Sequence, residues 1–582
     1  MSKLQLYFDY YAEHHNPINS DWYKKIKLSL SLMQAIQDGL PSDTEFQAST
    51  DKKALLEASF VKSTKSLEEH IDTIESLLER FVFKQDNGIG NVKQGVVWET
   101  ADSPHRRDIL TRATPDCIYQ ILSDSNIAEV NNLVDSLLNG SSSRNHPAVK
   151  NRLMRTLFPN NFCSPDAPNK LVRLLKVLKT KLGVSIAEEV TSANNPELAI
   201  LAIHQELCNR IDTDDPILRQ TFTWELFYML ENEVSLKKAI CYYGAPGTGK
   251  TYQSSREAKK IIDAQRIIVD KPVGGKYAIK TVQFHPSYSY EDFMEGIRPS
   301  NEGRLKLFNG SFKQFCKDHG AAEIALYENT AFLSNPVFKR VEYDFAKIYI
   351  RDLKPDEKEV LGLTNQDYAE ELTIQDAVEP AFFIIDEINR AELSKVFGEL
   401  MYSLEYRGYR GKIKTQYSHL CETSDDTAAF LWEDNENWFF IPQNIYIIST
   451  MNNIDRSVDA FDFALRRRFM WKEVEPDYNI INVLFSERKS WSEFGEKVSG
   501  NLEALNLLIE NDDILDKNYR VGQSYVLEVL KLSPERFENQ SGILKFIWDS
   551  FIAPLLEEYL RGLGNEQKSR EKIERFKSAF LG

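Results

Sequence analysis

The residues with the clearest chemical potential form a glycine-rich loop near the middle of the chain. The loop comprises Gly244, Ala245, Pro246, Gly247, Thr248, Gly249, Lys250 and Thr251. Glycines let successive backbone N–H groups turn inward around an anion, and a helix that begins here directs its positive end at the same place. In such a loop the lysine reaches the β- and γ-phosphates, and the last hydroxyl ligates Mg²⁺. We therefore predict a nucleoside triphosphate site, with Lys250 on the phosphates and Thr251 on the metal.

An acidic pair further along the chain supplies the groups that hydrolysis needs. Asp386 and Glu387 directly follow the apolar run 381–385. We predict that Asp386 holds Mg²⁺, usually through water, and that Glu387 polarises the attacking water as a general base. An Asp-Glu pair alone could instead begin a helix, but the preceding apolar residues favour the nucleotide interpretation.

A third apolar run, 445–448, leads into polar residues that could sense the γ-phosphate. Asn452 is the first candidate for orienting the attacking water, and Asn453 is the second.

Three adjacent arginines follow this strand, and they cannot all face the same way. They are Arg466, Arg467 and Arg468. We predict that Arg467 or Arg468 acts as an arginine finger on the nucleotide of a neighbouring subunit. The alternative is an ordinary surface ion pair, which contributes little energy.

The elements that must position these residues are visible in the same part of the chain. Beyond residue 239, short apolar runs that end in functional motifs alternate with helical stretches, which is typical of a parallel sheet flanked by helices. Residues 298–308 predict a hairpin with a glycine turn. The region before residue 200 predicts mostly helices. One apolar series at helical spacing comprises Leu67, Ile71, Ile74, Leu77, Leu78 and Phe81.

Length and composition set outer limits on the protein. A chain of 582 residues with 42% hydrophobic residues has material for two to four domains. The net charge of −16 means that any contact with nucleic acid must use a local basic surface. The six cysteines show no zinc-ligand spacing, and no apolar run is long enough to span a membrane. With no signal-peptide pattern at the N-terminus, we expect a cytoplasmic protein with no membrane partner.

The chain contains no recognisable nuclease constellation. A metal-dependent restriction nuclease needs an acidic pair and a lysine beside a strand. Pro115 and Asp116 begin such a pattern, but no E-x-K follows, and the next residues predict a helix. We therefore predict that this chain cuts no DNA by itself.

Eight stretches together resemble one family of motor proteins. They are 284–293 (FHPSYSYEDF), 295–299 (EGIRP), 386–390 (DEINR), 394–400 (SKVFGEL), 451–457 (MNNIDRS), 464–469 (ALRRRF), 521–525 (VGQSY) and 554–559 (PLLEEY). In order and spacing, from about residue 236 to 560, they resemble the motor domain of McrB-type AAA+ proteins. That family serves modification-dependent restriction systems.

The resemblance implies an architecture and a set of partners. The fold implied for this part of the chain is an α/β P-loop NTPase of the AAA+ class with a helix-2 insert hairpin and a C-terminal helical lid. The resemblance does not cover the N-terminal half, for which the sequence pattern predicts a mostly α-helical region. The domains expected are 1–138 and 145–235, both helical, then the α/β subdomain 236–475 and the lid 476–582. The resemblance also implies a homo-oligomeric ring, a hexamer, that uses Mg²⁺ with GTP or ATP. DNA and a McrC-like nuclease subunit are the implied partners, and Asp455 would belong to the active-site loop.

Three departures from the family pattern are visible. Asn453-Ile454 stand where the family usually has threonine and a variable residue, Gln523 replaces a frequent histidine, and the stretch 321–379 is long.

The favoured function is a motor that couples hydrolysis to DNA translocation and nuclease activation. The rivals are a MoxR- or midasin-like protein-remodelling ATPase and a low-turnover, nucleotide-dependent assembly switch. Stimulation of hydrolysis by DNA distinguishes the favoured motor from the two rivals.

Overall fold

The chain divides into two compact units, residues 1–231 and 232–582. The computed structural model describes residues 3–14, 21–67, 69–83, 104–139, 147–163, 168–182, 203–205, 207–230, 237–269, 271–299, 305–364, 372–424, 426–454, 463–488, 491, 493–537, 539–561 and 566–582. Within these ranges, no helix combines the length and apolarity needed to cross a bilayer.

The described part of the first unit is helical, as the sequence predicts. Its helices are α1 (Lys3–His14), α2 (Asp21–Asp38), α3 (Asp43–Ala48), α4 (Lys52–Thr64), α5 (Ile74–Leu78), which continues as a π-turn (Glu79–Phe83), α6 (Pro104–Arg112), α7 (Pro115–Ser123), α8 (Ile127–Asn139), α9 (Pro147–Leu157), α10 (Pro168–Leu182) and α11 (Pro216–Leu230). The helices from α2 to α9 enclose an apolar core, in which Phe46 and Phe60 are fully buried. Asp116 lies on α7 and pairs with Lys52 at 2.6 Å, so the candidate nuclease acid is engaged in a surface ion pair.

The predicted helical series from Leu67 to Phe81 is wrong in its first half. The helix begins only at Ile74, because the Thr73 side chain accepts the Ser76 N–H and caps it there. Ile71 is nevertheless buried. Its N–H donates to the Thr64 hydroxyl at 3.1 Å and closes a turn at the end of α4. A buried apolar residue in a turn can therefore fall at helical spacing in the sequence without being part of a helix.

The second unit is built on a five-stranded parallel sheet in the order β2-β5-β8-β1-β9. The strands are β1 (Ala239–Gly244), β2 (Ile279–Gln283), β5 (Ala381–Asp386), β8 (Ile445–Asn452) and β9 (Met470–Glu473). The three runs predicted as strands are β1, β5 and β8, and they lie side by side. Register pairs Gly244 with Asn452 and Ile385 with Ser449. Because all the strands are parallel, the motifs that follow them meet at one edge.

Helices cover this sheet and form the lid beyond it. Those of the α/β part are α12 (Lys250–Ile268), α13 (Tyr290–Phe293), α14 (Ser311–His319), α15 (Ala321–Glu328), α16 (Thr330–Ser334), α17 (Pro336–Arg340), α18 (Pro355–Val360), α19 (Ile374–Ala377), α20 (Leu393–Phe397), α21 (Leu400–Glu405) and α22 (Phe463–Arg466). Those of the lid are α23 (Tyr478–Ser486), α24 (Gly495–Glu510), α25 (Ser524–Leu527), α26 (Gln540–Ile547), α27 (Ala553–Leu560) and α28 (Glu566–Leu581). The lid has its own apolar core, which includes the buried Trp491 and Trp548.

Two antiparallel hairpins stand apart from the main sheet. The predicted hairpin is confirmed as β3 (Glu295–Pro299) and β4 (Leu305–Asn309). The second consists of β6 (Leu431–Glu433) and β7 (Glu436–Trp438). The long stretch 321–379 forms α15 to α19, and its Glu323 accepts the backbone N–H of Gln443 at 2.7 Å. This stretch is therefore fastened to the segment that enters β8.

Candidate nucleotide site

The phosphate-binding loop connects the end of β1 to the start of α12. Gly247 and Gly249 have φ angles of 76° and 81°, a left-handed backbone that favours glycine and turns the chain around the loop. Lys250 is buried, and its Nζ donates to the carbonyl of Ala245 at 2.7 Å. The ammonium group therefore lies against the inner side of the loop, at the N-terminus of α12, where an anion is also favoured by the helix dipole.

Two hydroxyl groups converge on the carboxylate of Asp386, at the carboxyl end of β5. Thr251 Oγ1 lies 2.8 Å from Asp386 Oδ1, and Thr450 Oγ1 lies 2.5 Å from the same oxygen. Hydroxyl and carboxylate oxygens are the ligands that Mg²⁺ takes in nucleotide sites. The donor set formed by Thr251 and Asp386 therefore fits the metal assigned to them from the sequence.

Glu387 is held from two sides by strand β8. Asn452 Nδ2 donates to Glu387 Oε1 at 2.6 Å, and the Glu387 N–H donates to Thr450 Oγ1 at 3.2 Å. Glu387 itself has a φ of 53°, a left-handed conformation that is unfavourable for this residue. The contacts with the end of β8 therefore set the orientation of the carboxylate, against the backbone preference of a glutamate. This arrangement suits a base that must hold one water molecule in a fixed direction.

These groups surround a cleft of about 550 Å³, a volume in the range of small-molecule and cofactor sites. Its lining residues are Pro246, Gly247, Gly249, Lys250, Thr251, Tyr252, Asp386, Glu387, Thr450, Asn452, Ser524, Tyr525, Glu528 and Phe551. The cleft is therefore lined by most of the predicted site residues, namely Pro246, Gly247, Gly249, Lys250, Thr251, Asp386, Glu387 and Asn452, whereas Gly244, Ala245 and Thr248 do not line it. The lid contributes the aromatic side chains of Tyr525 and Phe551 to the lining.

The lid loop 521–525 is hydrogen-bonded along the length of the phosphate-binding loop. The Gly522 N–H donates to the Pro246 carbonyl at 3.1 Å, and the Ser524 N–H donates to the Gly247 carbonyl at 3.0 Å. The Gln523 side chain donates to the Thr248 carbonyl at 2.8 Å. Gln523, which departs from the family pattern, therefore occupies a contact between the lid and the loop.

The arginine run lies beyond the cleft, and its members differ in environment. Arg467 Nη2 lies 3.3 Å from Glu405 Oε2, and its side chain is 66% exposed. Arg468 Nη2 lies 3.0 Å from the same oxygen, but its side chain is only 11% exposed. Arg466 stacks its guanidinium over Trp471. Neither Arg467 nor Arg468 lines the described cleft, and of the two Arg467 is better placed to reach a neighbouring molecule.

The sequence did not reveal every residue that lines the cleft, and one of its candidates, Asn453, does not line it. Thr450 was not singled out, although it contacts both Asp386 and Glu387. Its place two residues before Asn452 on the same strand face was the available signal. Asn453 turns away from the cleft and donates to Asn518 at 2.6 Å. Asp455 lies outside the described residues.

The sheet order, the phosphate-binding loop and the carboxylates at the strand ends define an AAA+ nucleoside triphosphatase. Comparison with protein families agrees: residues 239–469 match the AAA domain of the dynein-related subfamily, and residues 497–568 match the α-helical lid domain of McrB. Residues 239–568 therefore contain the AAA domain and the helical lid of a McrB-type AAA+ NTPase.

Two curated relatives are similar to this part of the chain. The McrB subunit of the type IV methyl-directed restriction enzyme EcoKMcr of Escherichia coli K12 is 32% identical over 334 residues, which are 56% of this chain and 54% of that protein. The YdiS component of the type II restriction enzyme BsuMI of Bacillus subtilis 168 is 26% identical over 248 residues, 41% of this chain and 58% of that protein. The chain thus spans a little over half the length of each.

Proposed function

We propose that this protein is the motor subunit of a DNA restriction or anti-phage defence complex. It hydrolyses GTP or ATP with Mg²⁺ as a hexameric ring and couples hydrolysis to DNA translocation and to activation of a separate McrC-like nuclease. The names of both relatives, each part of a restriction enzyme, support this assignment. Because the net charge is −16, a local surface of the N-terminal helices must select the DNA mark.

The observation that carries the proposal is the joint arrangement of strand tips around one cleft. Lys250 contacts the phosphates, Thr251 and Asp386 hold Mg²⁺, and Glu387 takes the proton of the attacking water. The metal, when bound, neutralises charge that develops on the phosphate oxygens. Asn452 keeps Glu387 in a single orientation, so that the water is aligned before the bond to the γ-phosphate breaks.

The positions of the arginines support completion of the site by a second copy of the chain. Arg467 is exposed and does not line the cleft of its own chain, so its guanidinium can act on the triphosphate of the neighbour in a ring. Hydrolysis then requires contact between subunits, and this requirement links chemistry to movement around the ring.

The catalytic assignment is tested by two substitutions with opposite signatures. Lys250→Ala removes the charge that faces the phosphates and should abolish nucleotide binding. Glu387→Gln removes only the base and should keep binding while it blocks hydrolysis. Nucleotide affinity and turnover are measured for both. Normal turnover by Glu387→Gln would show that another group is the base.

The division of labour with a nuclease is tested with purified protein, Mg²⁺, triphosphate and both methylated and unmethylated DNA. We expect no specific cleavage by this chain alone, and cleavage with stimulated hydrolysis only when the partner subunit is added. Specific cleavage by the single chain, abolished by a substitution within residues 1–200, would overturn this division. A hydrolysis rate that DNA does not stimulate would instead favour a protein-remodelling ATPase or an assembly switch.

A further inference from the structure

The β3–β4 hairpin is a two-stranded ribbon that projects from the motor unit. It is hydrogen-bonded to no other strand of the described sheets. Beyond Gly296, every described residue of β3 is exposed, and Leu305 of β4 is 72% exposed. Isolated ribbons of this kind are marginally stable in water. The ribbon therefore needs stabilising contacts where it joins the rest of the unit.

The base of this ribbon is fastened by buried groups. Glu295 and Lys313 form an ion pair at 2.5 Å with both side chains fully buried. The other oxygen of Glu295 accepts the backbone N–H of Tyr417 at 2.9 Å. Gly310 donates its N–H to the Met294 carbonyl at 2.6 Å. Since a buried charge pair is costly to place and severe to break, the ribbon is held as a rigid projection.

Two cations lie directly opposite each other on this ribbon. The register pairs Arg298 with Lys306, so their side chains leave the same face. Arg298 is 57% exposed and contacts Asp292, itself 43% exposed, at 3.1 Å. Such an exposed ion pair is weak and can exchange for another anion. Like charges across a strand pair repel each other, and a phosphate that bridged the two cations would offset this repulsion.

We propose that this ribbon is the surface through which the motor contacts the phosphodiester backbone of DNA, with Arg298 and Lys306 as a cross-strand pair of phosphate ligands. The inference rests on the proposed function, because it names the element that touches the translocated duplex. An acidic chain repels DNA over most of its surface, so contact must be concentrated where cations are presented. A rigid, exposed ribbon with paired cations meets that need without reading sequence.

The exposed apolar residues Ile297 and Leu305 would fit a protein partner as well, but they do not explain the cation pair. They leave the opposite face from Arg298 and Lys306, because residues alternate along each strand. The face that carries the charges is therefore the one assigned to DNA.

The test uses the full chain with a non-hydrolysable triphosphate and a fluorescent 30-base-pair duplex as probe. Affinity is measured over a series of salt concentrations for the wild type and for Arg298→Ala/Lys306→Ala. We expect binding at low salt to weaken at least about tenfold. The slope of log affinity against log salt should fall by about 1.8 for each engaged subunit, since each phosphate contact contributes about 0.9.

Two further variants make the result specific. Lys347→Ala/Arg351→Ala removes the same charge from residues that are 60% and 52% exposed and also paired with aspartates, and it should bind DNA like the wild type. Arg298→Lys/Lys306→Arg keeps both charges and should retain the wild-type salt slope. In each variant the hydrolysis rate without DNA serves as the reference, and only the double alanine variant should lose stimulation by DNA.

Equal affinity and salt slope for the double alanine variant and its control would overturn the inference while leaving the proposed motor intact. So would loss of binding in the charge-conserving variant, because charge would then not be the cause. If the double alanine variant binds DNA normally but no longer responds to the nuclease subunit, the ribbon is a protein-docking element and the inference is wrong. If the wild type binds no duplex at any salt concentration, the inference and the DNA-motor proposal fail together.

Discussion

Asn452 Nδ2 lies 2.6 Å from Glu387 Oε1, and this contact joins the tips of two neighbouring strands of the parallel sheet. The amide donates to one oxygen of the carboxylate and fixes its orientation. Any movement of β8 relative to β5 would therefore change the direction of the proposed base. This contact and the hydrogen bond from the Glu387 N–H to Thr450 Oγ1 together link the orientation of Glu387 to the geometry of the sheet.

Replacing Asn452 by alanine should slow hydrolysis about 10- to 100-fold, a part of what general base catalysis contributes. Nucleotide affinity should stay near the wild-type value, because Lys250 and the loop are untouched. The matched control is Asn453→Ala, whose amide contacts Asn518 instead, and its turnover should change less than about threefold. Equal losses in the two variants would contradict the assignment of Asn452 as the residue that orients Glu387.

Arg467 should act on the site of a neighbouring subunit. Arg467→Ala and Lys250→Ala should each be inactive alone, the first for want of the finger and the second for want of bound nucleotide. Mixed rings contain some interfaces with both residues intact, so mixing should restore part of the activity. The measurement is hydrolysis across a series of mixing ratios. The shared-site model fails if the two proteins assemble together and no ratio recovers turnover.

A methyl group at Gly522 should weaken nucleotide binding. A Cβ there would collide with the backbone of Gly247 and separate the lid loop from the phosphate-binding loop. Overpacking of this kind costs about 1–3 kcal/mol, so affinity should fall roughly 5- to 150-fold. Gly500→Ala is the control within the same lid, because a Cβ there meets nothing within 4 Å. Unchanged affinity for Gly522→Ala would mean that the lid contact does not support the site.

The N-terminal unit should lose stability in acid through His204. Burial first, and the Arg155 guanidinium second, lower the pKa of His204 from 6.5 to about 3. The folded-state pKa is lowered, so stability is present above pH 6.5 and is lost as the pH falls toward 3. By pH 4.5 the loss should be about 3 kcal/mol.

The structural reason is that His204 Nδ1 accepts the Cys163 N–H at 3.2 Å, and protonation would remove this acceptor. The measurement is amide-exchange protection in segment 147–163 at pH 7 and pH 4.5. His204→Gln cannot titrate and should show a much smaller difference in protection between the two pH values. An equal acid effect in wild type and variant would place its origin elsewhere.

The sequence predicted the parts of the site that depend on local patterns. The loop from Gly244 to Thr251 and the apolar runs before Asp386 and Asn452 have a distinctive composition, so the loop and the strands could be predicted. The order of the strands in the sheet was not predicted. The role of Thr450 could not, because its two partners are about 65 residues away in sequence and come together only through strand register. The start of α5 at Ile74 was missed because the Thr73 cap competes with a hydrophobic spacing that favours an earlier start. The contact of Gln523 with Thr248 joins the lid to the loop across 275 residues.

The left-handed backbone of Glu387 sets stability against activity at one position. Glutamate is among the residues for which this conformation costs about 1–2 kcal/mol, whereas glycine and asparagine adopt it readily. Selection for a more robust fold alone would therefore tend to replace the base with one of those residues. Asparagine or glycine at this position would relieve the strain and remove the proposed base, so a gain in thermal stability and a loss of turnover would come together.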